Sequence, residues 1–113
     1  MKLTTATQGD VTVVTLAGNL MGGPDATALN TKLHELIDAG TRKVVLDLSG
    51  VEFLNSSGLS LLIVGAGALR NAGGRLVLAG ASPKVSSVIT LAKLSSVLSM
   101  HPSVEAAVRS LGA

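Results

Sequence analysis

The segment with the clearest chemical potential is Asn55-Ser56-Ser57-Gly58, in which two adjacent hydroxyls lie between an amide and a glycine. An apolar helical pattern follows, which predicts a helix from about Ser57 to Ala72. The first N–H groups of a helix have no partner within it, and the helix dipole leaves partial positive charge there. A phosphate on a serine at this place would be stabilised by those donors. The segment is therefore a candidate phosphorylation site, and simple capping of the helix is the alternative.

Side chains suited to other chemistry are isolated along the chain. The two histidines, His34 and His101, lack neighbouring ligands at metal-site spacing, and the chain has no cysteine. No paired carboxylates stand out for acid–base work. The stretch 65–67 has the Gly-x-Gly spacing of a dinucleotide-binding loop, but Arg70 occupies the third glycine position and the stretch lies inside a helical pattern. We therefore predict a protein that is not an enzyme and has no cofactor and no metal site.

Composition and charge argue against several classes of partner. The chain has 113 residues, 47% of them hydrophobic, which is enough for one domain, residues 1–113, with a buried core. Phe53 is the only aromatic residue and the nine basic residues are scattered, so we expect no nucleic-acid binding. The longest apolar stretch, 59–69, is too short to span a bilayer, and the N-terminus has no signal-peptide pattern. We expect a cytoplasmic protein without membrane insertion.

The predicted elements follow the order β-β-α-β-α-β-α-β-α. Strands are predicted at Leu3–Thr7, Val11–Ala17, Val44–Leu48, Arg75–Ala79 and Val97–Met100. Helices are predicted at Asp25–Ala39, at Ser57–Ala72, and after the start signals Ser82-Pro83 and Pro102-Ser103. Two segments are expected to be irregular, 18–24 and 49–54. This alternation predicts an α/β fold with a central, mostly parallel or mixed β-sheet, an N-terminal hairpin and four α-helices.

The second predicted helix has two apolar stripes, where a surface helix has one and a polar back. The first stripe has the spacing of a core face and comprises Leu59, Leu62, Ile63, Ala66 and Leu69. The second stripe comprises Leu61, Val64, Gly65 and Ala68. Burial inside the domain and docking of a partner beside Ser56 are both compatible with this second stripe. Asp47 and Asn19 are expected near the same end of the sheet, as partner contacts or as loop and turn residues.

The segment from Asp47 to Leu59, DLSGVEFLNSSGL, closely resembles the signature of the STAS domain, which occurs in anti-sigma factor antagonists and in sulfate transporters. The predicted order of elements resembles that fold over nearly the whole chain. The resemblance implies a partner switch, in which the domain binds an anti-sigma factor that is also a serine kinase and so releases the sigma factor. It also implies that phosphorylation of Ser56 ends the complex and that a serine phosphatase resets it, with Ser57 as a weaker acceptor.

One position departs from the family pattern, because the residue before the acceptor is usually an acid and here is Asn55. Asparagine caps a helix as well as aspartate does, but it brings no charge for a kinase to recognise. The predicted partner-binding residues are Asp47, Asn55, Ser56, Ser57, Gly58, Leu61, Val64, Gly65 and Ala68. Two alternatives stay open: a STAS subunit of a lipid-transport or stress-signalling assembly without phosphorylation, and a STAS domain that senses a small ligand. A weak homodimer is also left open.

Overall fold

The computed structural model describes residues 2–94 and 98–112, which form a five-stranded sheet and four helices. The strands are β1 (Lys2–Gln8), β2 (Val11–Leu20), β3 (Lys43–Leu54), β4 (Arg75–Ala79) and β5 (Met100–His101). The helices are α1 (Pro24–Asp38), α2 (Ser56–Asn71), α3 (Pro83–Leu91) and α4 (Val104–Ser110). The strand order is β1-β2-β3-β4-β5, with β1 antiparallel to β2 and the other neighbours parallel. The predicted α/β fold with its N-terminal hairpin is confirmed.

The central strand β3 is buried on both faces over residues 44–48, where the sequence is apolar except for Asp47. Val44, Leu46 and Leu48 lie in the larger core cluster, to which helices α1, α2 and α3 contribute. Val45 lies in a second cluster with residues of α4. Three helices therefore cover one face of the sheet and α4 covers the other, which removes Val44, Val45, Leu46 and Leu48 from water.

Serine and asparagine side chains cap the N-termini of three helices. Asn55, Ser82 and Ser103 accept hydrogen bonds from the backbone N–H three residues ahead, at 2.8, 3.3 and 3.1 Å. Each bond satisfies a donor that the helix leaves unpaired. The start signal at Ser82-Pro83 is thereby confirmed. Helix α1 ends as expected before Gly40, whose φ of 93° suits a residue without a β-carbon.

The segment 49–54, predicted as irregular, is strand, and so are the first three residues of the segment 18–24, whereas residues 21–23 form a loop. Strand β2 continues to Leu20, and β3 continues through 49–54 to Leu54. The register between these strands shifts twice, so β3 bulges where extra residues face β2. At the first bulge, Asp47 Oδ1 accepts the N–H of Ser49 at 3.0 Å. The Ser-Gly pair therefore marks a bulge inside a long strand, although in sequence it is typical of a turn.

In the C-terminal part of the chain, the last strand differs from the prediction in its boundaries. The last strand was predicted at Val97–Met100, but it comprises Met100 and His101, and Val97 lies outside the described residues. His101, the residue after the predicted strand, pairs with Ala79 of β4. Ala107 and Val108 of α4 and the following Leu111 are buried, and Val104 is partly buried against them.

At the end of the sheet where β3 begins, an ion pair joins the β1–β2 turn to the first residue of β3. Lys43 Nζ lies 2.8 Å from Asp10 Oδ2. This hydrogen bond from the lysine holds the pKa of the Asp10 carboxyl below its ordinary value. Among the helices of the described ranges, none is long and apolar enough to cross a membrane.

Candidate phosphorylation and docking site at the start of α2

Asn55 fixes the start of α2 through both ends of its side-chain amide. Its Oδ1 accepts the N–H of Gly58 at 2.8 Å, which makes it the N-cap of the helix. Its Nδ2 donates to the carbonyl oxygen of Met21 at 3.2 Å, in the loop between β2 and α1. An aspartate could make the first bond but has no proton for the second. Asparagine at this position therefore ties the helix start to a neighbouring loop.

The same loop lies directly against the first turn of α2. Gly58 is buried, and a β-carbon there would overlap the carbonyl oxygen of Leu20. A β-carbon at Gly22, whose φ is 88°, would come within 2.8 Å of Ser57 Cβ. Both glycines are therefore required by close approach between two backbones. This packing holds the serines of the motif in a defined position relative to the loop.

Ser56 and Ser57 occupy the first two positions of α2, and both are exposed. Asn55 satisfies the N–H of Gly58, whereas the N–H groups of the first two helical residues have no partner within the helix. The carbonyl oxygen of Ser56 accepts the hydroxyl of Ser60 at 3.0 Å. An enzyme can reach the Ser56 hydroxyl, and a phosphate on it would lie at the positive end of the helix dipole.

The two bonds of Asn55 lead to a measurable prediction. Asn55→Ala should lower the free energy of unfolding by about 1–2 kcal/mol, because it removes the cap and the tie to Met21. Asn55→Asp should cost less than Asn55→Ala, since it keeps the cap. Urea unfolding followed by far-ultraviolet circular dichroism measures both. Ser82→Ala, which removes one capping bond from α3, is the matched control and should cost less than Asn55→Ala. Equal losses for the two alanine variants would contradict a role for the Met21 bond.

The second apolar stripe of α2 divides between the protein interior and the surface. Gly65 is buried, and a β-carbon there would lie 2.8 Å from Leu33 Cδ1 of α1, so this residue serves helix packing. Leu61 and Ala68 are half-buried. Val64 is 57% exposed. Interior burial therefore accounts for part of the stripe, and Val64 is its main solvent-facing residue.

A shallow groove of about 180 Å³ runs between α1 and α2. It is lined by Ala26, Thr27, Leu29, Asn30, Leu33, Leu61, Val64 and Gly65. Small-molecule pockets usually enclose about 300–1,000 Å³. The groove is therefore better matched to a side chain of a protein partner than to a small ligand.

The structure separates Asp47 from the helix start. We expected this residue to end the central strand near Ser56, but β3 continues for seven more residues to Leu54. In register, Asp47 lies opposite Thr15 and Leu54 lies opposite Leu20, so about 17 Å of strand separates them. The Asp47 carboxylate accepts a hydrogen bond from the backbone N–H of Ser49 at the bulge. This local contact resembles the role of a loop residue more than that of a partner contact. Asn19 is an exposed strand residue rather than a turn residue.

Two exposed apolar side chains, Met21 and Phe53, were not among the predicted site residues. They lie in the segments 18–24 and 49–54, which the sequence analysis interpreted as irregular. Met21 is 42% exposed, and its carbonyl bonds Asn55. Phe53 is 38% exposed, and Lys84 Nζ lies 5.6 Å from its ring centroid. We refer to Met21, Phe53, Ser56 and Val64 as the docking surface.

Within residues 2–94 and 98–112, no group of three or more histidine, aspartate or glutamate side chains is placed to hold a metal ion. The predicted residues that the structure brings together are Asn55, Ser56, Ser57 and Gly58, with Val64 further along the same helix. What this arrangement offers chemically is an accessible hydroxyl at a helix start beside apolar side chains.

The mixed sheet, the four helices of the described residues and the two exposed serines at the start of α2 define a small α/β domain. A family model described as the STAS domain matches residues 2–107. The chain therefore belongs to the STAS domain family.

Comparison with individual proteins places the chain beside anti-sigma factor antagonists. It is 33% identical over 107 residues to BtrV of Bordetella bronchiseptica, whose name assigns it to the anti-sigma factor antagonists, and the match covers 95% of this chain and 91% of BtrV.

Two solved structures show the same fold at lower identity. TM1081 of Thermotoga maritima, also named as an anti-sigma factor antagonist, superposes with a TM-score of 0.88 at 20% identity, over 98% of this chain and 95% of that one. SpoIIAA of Bacillus, solved in its phosphorylated form, gives a TM-score of 0.73 at 21% identity, over 96% and 99%.

Proposed function

We propose that this chain is an anti-sigma factor antagonist that acts in the cytoplasm as a partner switch gated at Ser56. The observation that carries the proposal is the exposed Ser56 hydroxyl at the first position of α2, beside the apolar side chains of Met21, Phe53 and Val64. The name of BtrV, a relative over most of both chains, supports the same function. The chain contributes binding and an acceptor hydroxyl rather than catalysis.

In the proposed cycle, the unmodified chain binds an anti-sigma factor that is also a serine kinase, and the sigma factor is released. The kinase transfers the γ-phosphoryl group of ATP to Ser56 Oγ: a new P–O bond forms, the bond to ADP breaks, and the hydroxyl proton is lost to a base of the kinase. The phosphate carries roughly −1.5 to −2 charges and would have to be desolvated against apolar neighbours, which weakens docking. A serine phosphatase restores the hydroxyl by hydrolysis.

The existence of SpoIIAA in a phosphorylated form supports the idea that this fold accepts a phosphate. The helix dipole and the first-turn N–H groups at Ser56 would hold such a group without unfolding of the domain. Asp47 lies too far along β3 to share this contact, so we propose Asn55, Ser56, Ser57, Gly58, Leu61, Val64 and Ala68 as the partner-facing set. Gly65 supports the set through its packing on α1.

The direct test is complex formation with an anti-sigma kinase encoded beside the gene, measured by isothermal titration calorimetry. Wild type is expected to bind, and Ser56→Asp is expected to bind at least tenfold more weakly because it places charge in the interface. Ser87→Asp, an equivalent change on the exposed side of α3, is the matched control and should bind like wild type. Equal binding by wild type and Ser56→Asp would refute the phosphate gate.

A second experiment identifies the acceptor. Incubation with the kinase and ATP should add the mass of one phosphate to wild type and to Ser57→Ala, and none to Ser56→Ala. No mass gain in wild type would favour the alternative of a STAS subunit that works without phosphorylation. That alternative has one specific observation behind it, since Asn55 uses its amide to bond Met21 and offers no acid to a kinase.

A further inference from the structure

The two edges of the sheet are protected to very different degrees. Strand β5 is two residues long and is followed at once by Pro102, which cannot donate to a strand. Strand β1 is seven residues long and lies at the opposite edge. Natural proteins usually close such edges with prolines, bulges, charges or a covering element. One edge of this sheet is closed in that way, and the other requires a separate explanation.

Strand β1 has few of these protective features. Its sequence, KLTTATQ, contains no proline and one charged residue, Lys2, at its end. Its pairing with β2 is continuous from Lys2–Ala17 to Gln8–Val11, without a register shift. Six of its seven residues are exposed, and Leu3 alone packs against the core. The edge therefore presents a regular row of backbone donors and acceptors, flanked by mostly exposed side chains.

The position of the charged residue in β1 favours antiparallel over parallel pairing with a second copy of the strand. In a parallel pairing of two copies, Lys2 would lie beside Lys2. In an antiparallel pairing centred on Thr5, each Lys2 lies opposite the other copy's Gln8, next to the turn that carries Asp10. The centre then places Thr5 opposite Thr5, and cross-strand threonine pairs are favourable. The strand is thus complementary to a second copy of itself in the antiparallel direction.

We propose that this chain forms a weak homodimer by antiparallel pairing of β1 with β1 of a second copy, which joins the two sheets into one. The contact is isologous, so it closes at two copies and does not propagate. It consists mainly of backbone hydrogen bonds with little apolar area, which makes it concentration-dependent rather than permanent. Helix α2 packs two strands away, on β3 and β4, so the docking surface stays open in both copies.

The absence of cysteine from the chain allows a direct test by disulfide trapping. In the proposed register, residue 5 is the one strand position that meets itself, with Cα atoms about 4.5–5.5 Å apart, which suits a disulfide. Thr5→Cys should therefore crosslink readily under mild oxidation. Lys2→Cys is the control, because its two copies would lie roughly 20 Å apart. Equal crosslinking of the two variants would overturn the proposal.

A charge pair on β1 provides the second test, measured by sedimentation equilibrium over a concentration series. Thr4 lies opposite Ala6 of the other copy in this register, and both are exposed. Thr4→Lys with Ala6→Lys should weaken the dimer about tenfold through two like-charge pairs, whereas Thr4→Lys with Ala6→Glu should leave it as tight as wild type or tighter. Loss of the dimer in both variants, or a wild type that stays monomeric at millimolar concentration, would refute the proposal. Binding of the anti-sigma partner should be unchanged in both variants, so the result is independent of the proposed function.

Discussion

Gly58→Ala is expected to destabilise the protein by about 3 kcal/mol, whereas Gly67→Ala, in the same helix, is expected to stabilise it by about 0.5–1 kcal/mol. A β-carbon at Gly58 would overlap the carbonyl oxygen of Leu20, a backbone atom that cannot rotate away. A β-carbon at Gly67 meets nothing within 4 Å, so alanine there brings only its better helix propensity. The opposite signs arise from contact with β2 and not from the residue type.

Chemical unfolding in urea measures both glycine variants, and their difference is the informative quantity. A change at Gly58 that disturbs the loop should also weaken the backbone bond from Asn55 N–H to Leu20 O, which is already long at 3.4 Å. Amide hydrogen exchange at the start of α2 should therefore be faster in Gly58→Ala and unchanged in Gly67→Ala. If the two variants had the same stability, the explanation that Gly58 is required by close contact between α2 and β2 would be wrong.

Val64→Glu is expected to weaken binding of the anti-sigma partner by about thirtyfold without lowering the stability of the free protein. Val64 is 57% exposed, so it contributes little to the core, yet it lines the groove between α1 and α2. A glutamate at this position would bring an unpaired charge into the interface. Titration calorimetry gives the affinity, and thermal unfolding verifies that the domain is intact.

The matched control for Val64 is Leu91, at the end of α3, which is 82% exposed. Leu91→Glu makes the same kind of change, an exposed apolar residue replaced by a charge, on a different helix. It should leave the affinity unchanged. If Leu91→Glu weakened binding as much as Val64→Glu, the docking surface would have to include α3, and the assignment to the start of α2 would be too narrow.

The order of elements could be predicted from the sequence because local signals agree with the fold. Val44 to Leu48 form a near-continuous apolar run interrupted by Asp47, Ser82-Pro83 marks a helix start, and Gly40 follows the end of α1. All three signals agree with the structure. The pattern of α2 likewise predicts its buried face. These signals depend on a residue and its near neighbours, which a single sequence contains.

The features that the sequence could not predict have a common cause, which is contact between segments distant in sequence. Ser49-Gly50 is typical of a turn, but pairing with β2 turns it into a bulge, and β3 continues past Asp47 to Leu54. Gly65 looks like part of an open surface until α1 is packed against it. The second bond of Asn55 depends on the position of Met21, thirty-four residues earlier in the chain. No local pattern contains that information.

The position of Phe53 gives this protein a natural spectroscopic probe. It is the only aromatic residue apart from two imidazoles, and it lies two residues before the cap of α2, partly exposed and under the Lys84 ammonium. The phenyl proton resonances and the near-ultraviolet dichroism of the free chain therefore report on this one corner of the molecule. A partner that contains tryptophan or tyrosine can be followed by fluorescence against an almost silent background, so recognition at this corner can be observed without attaching a label.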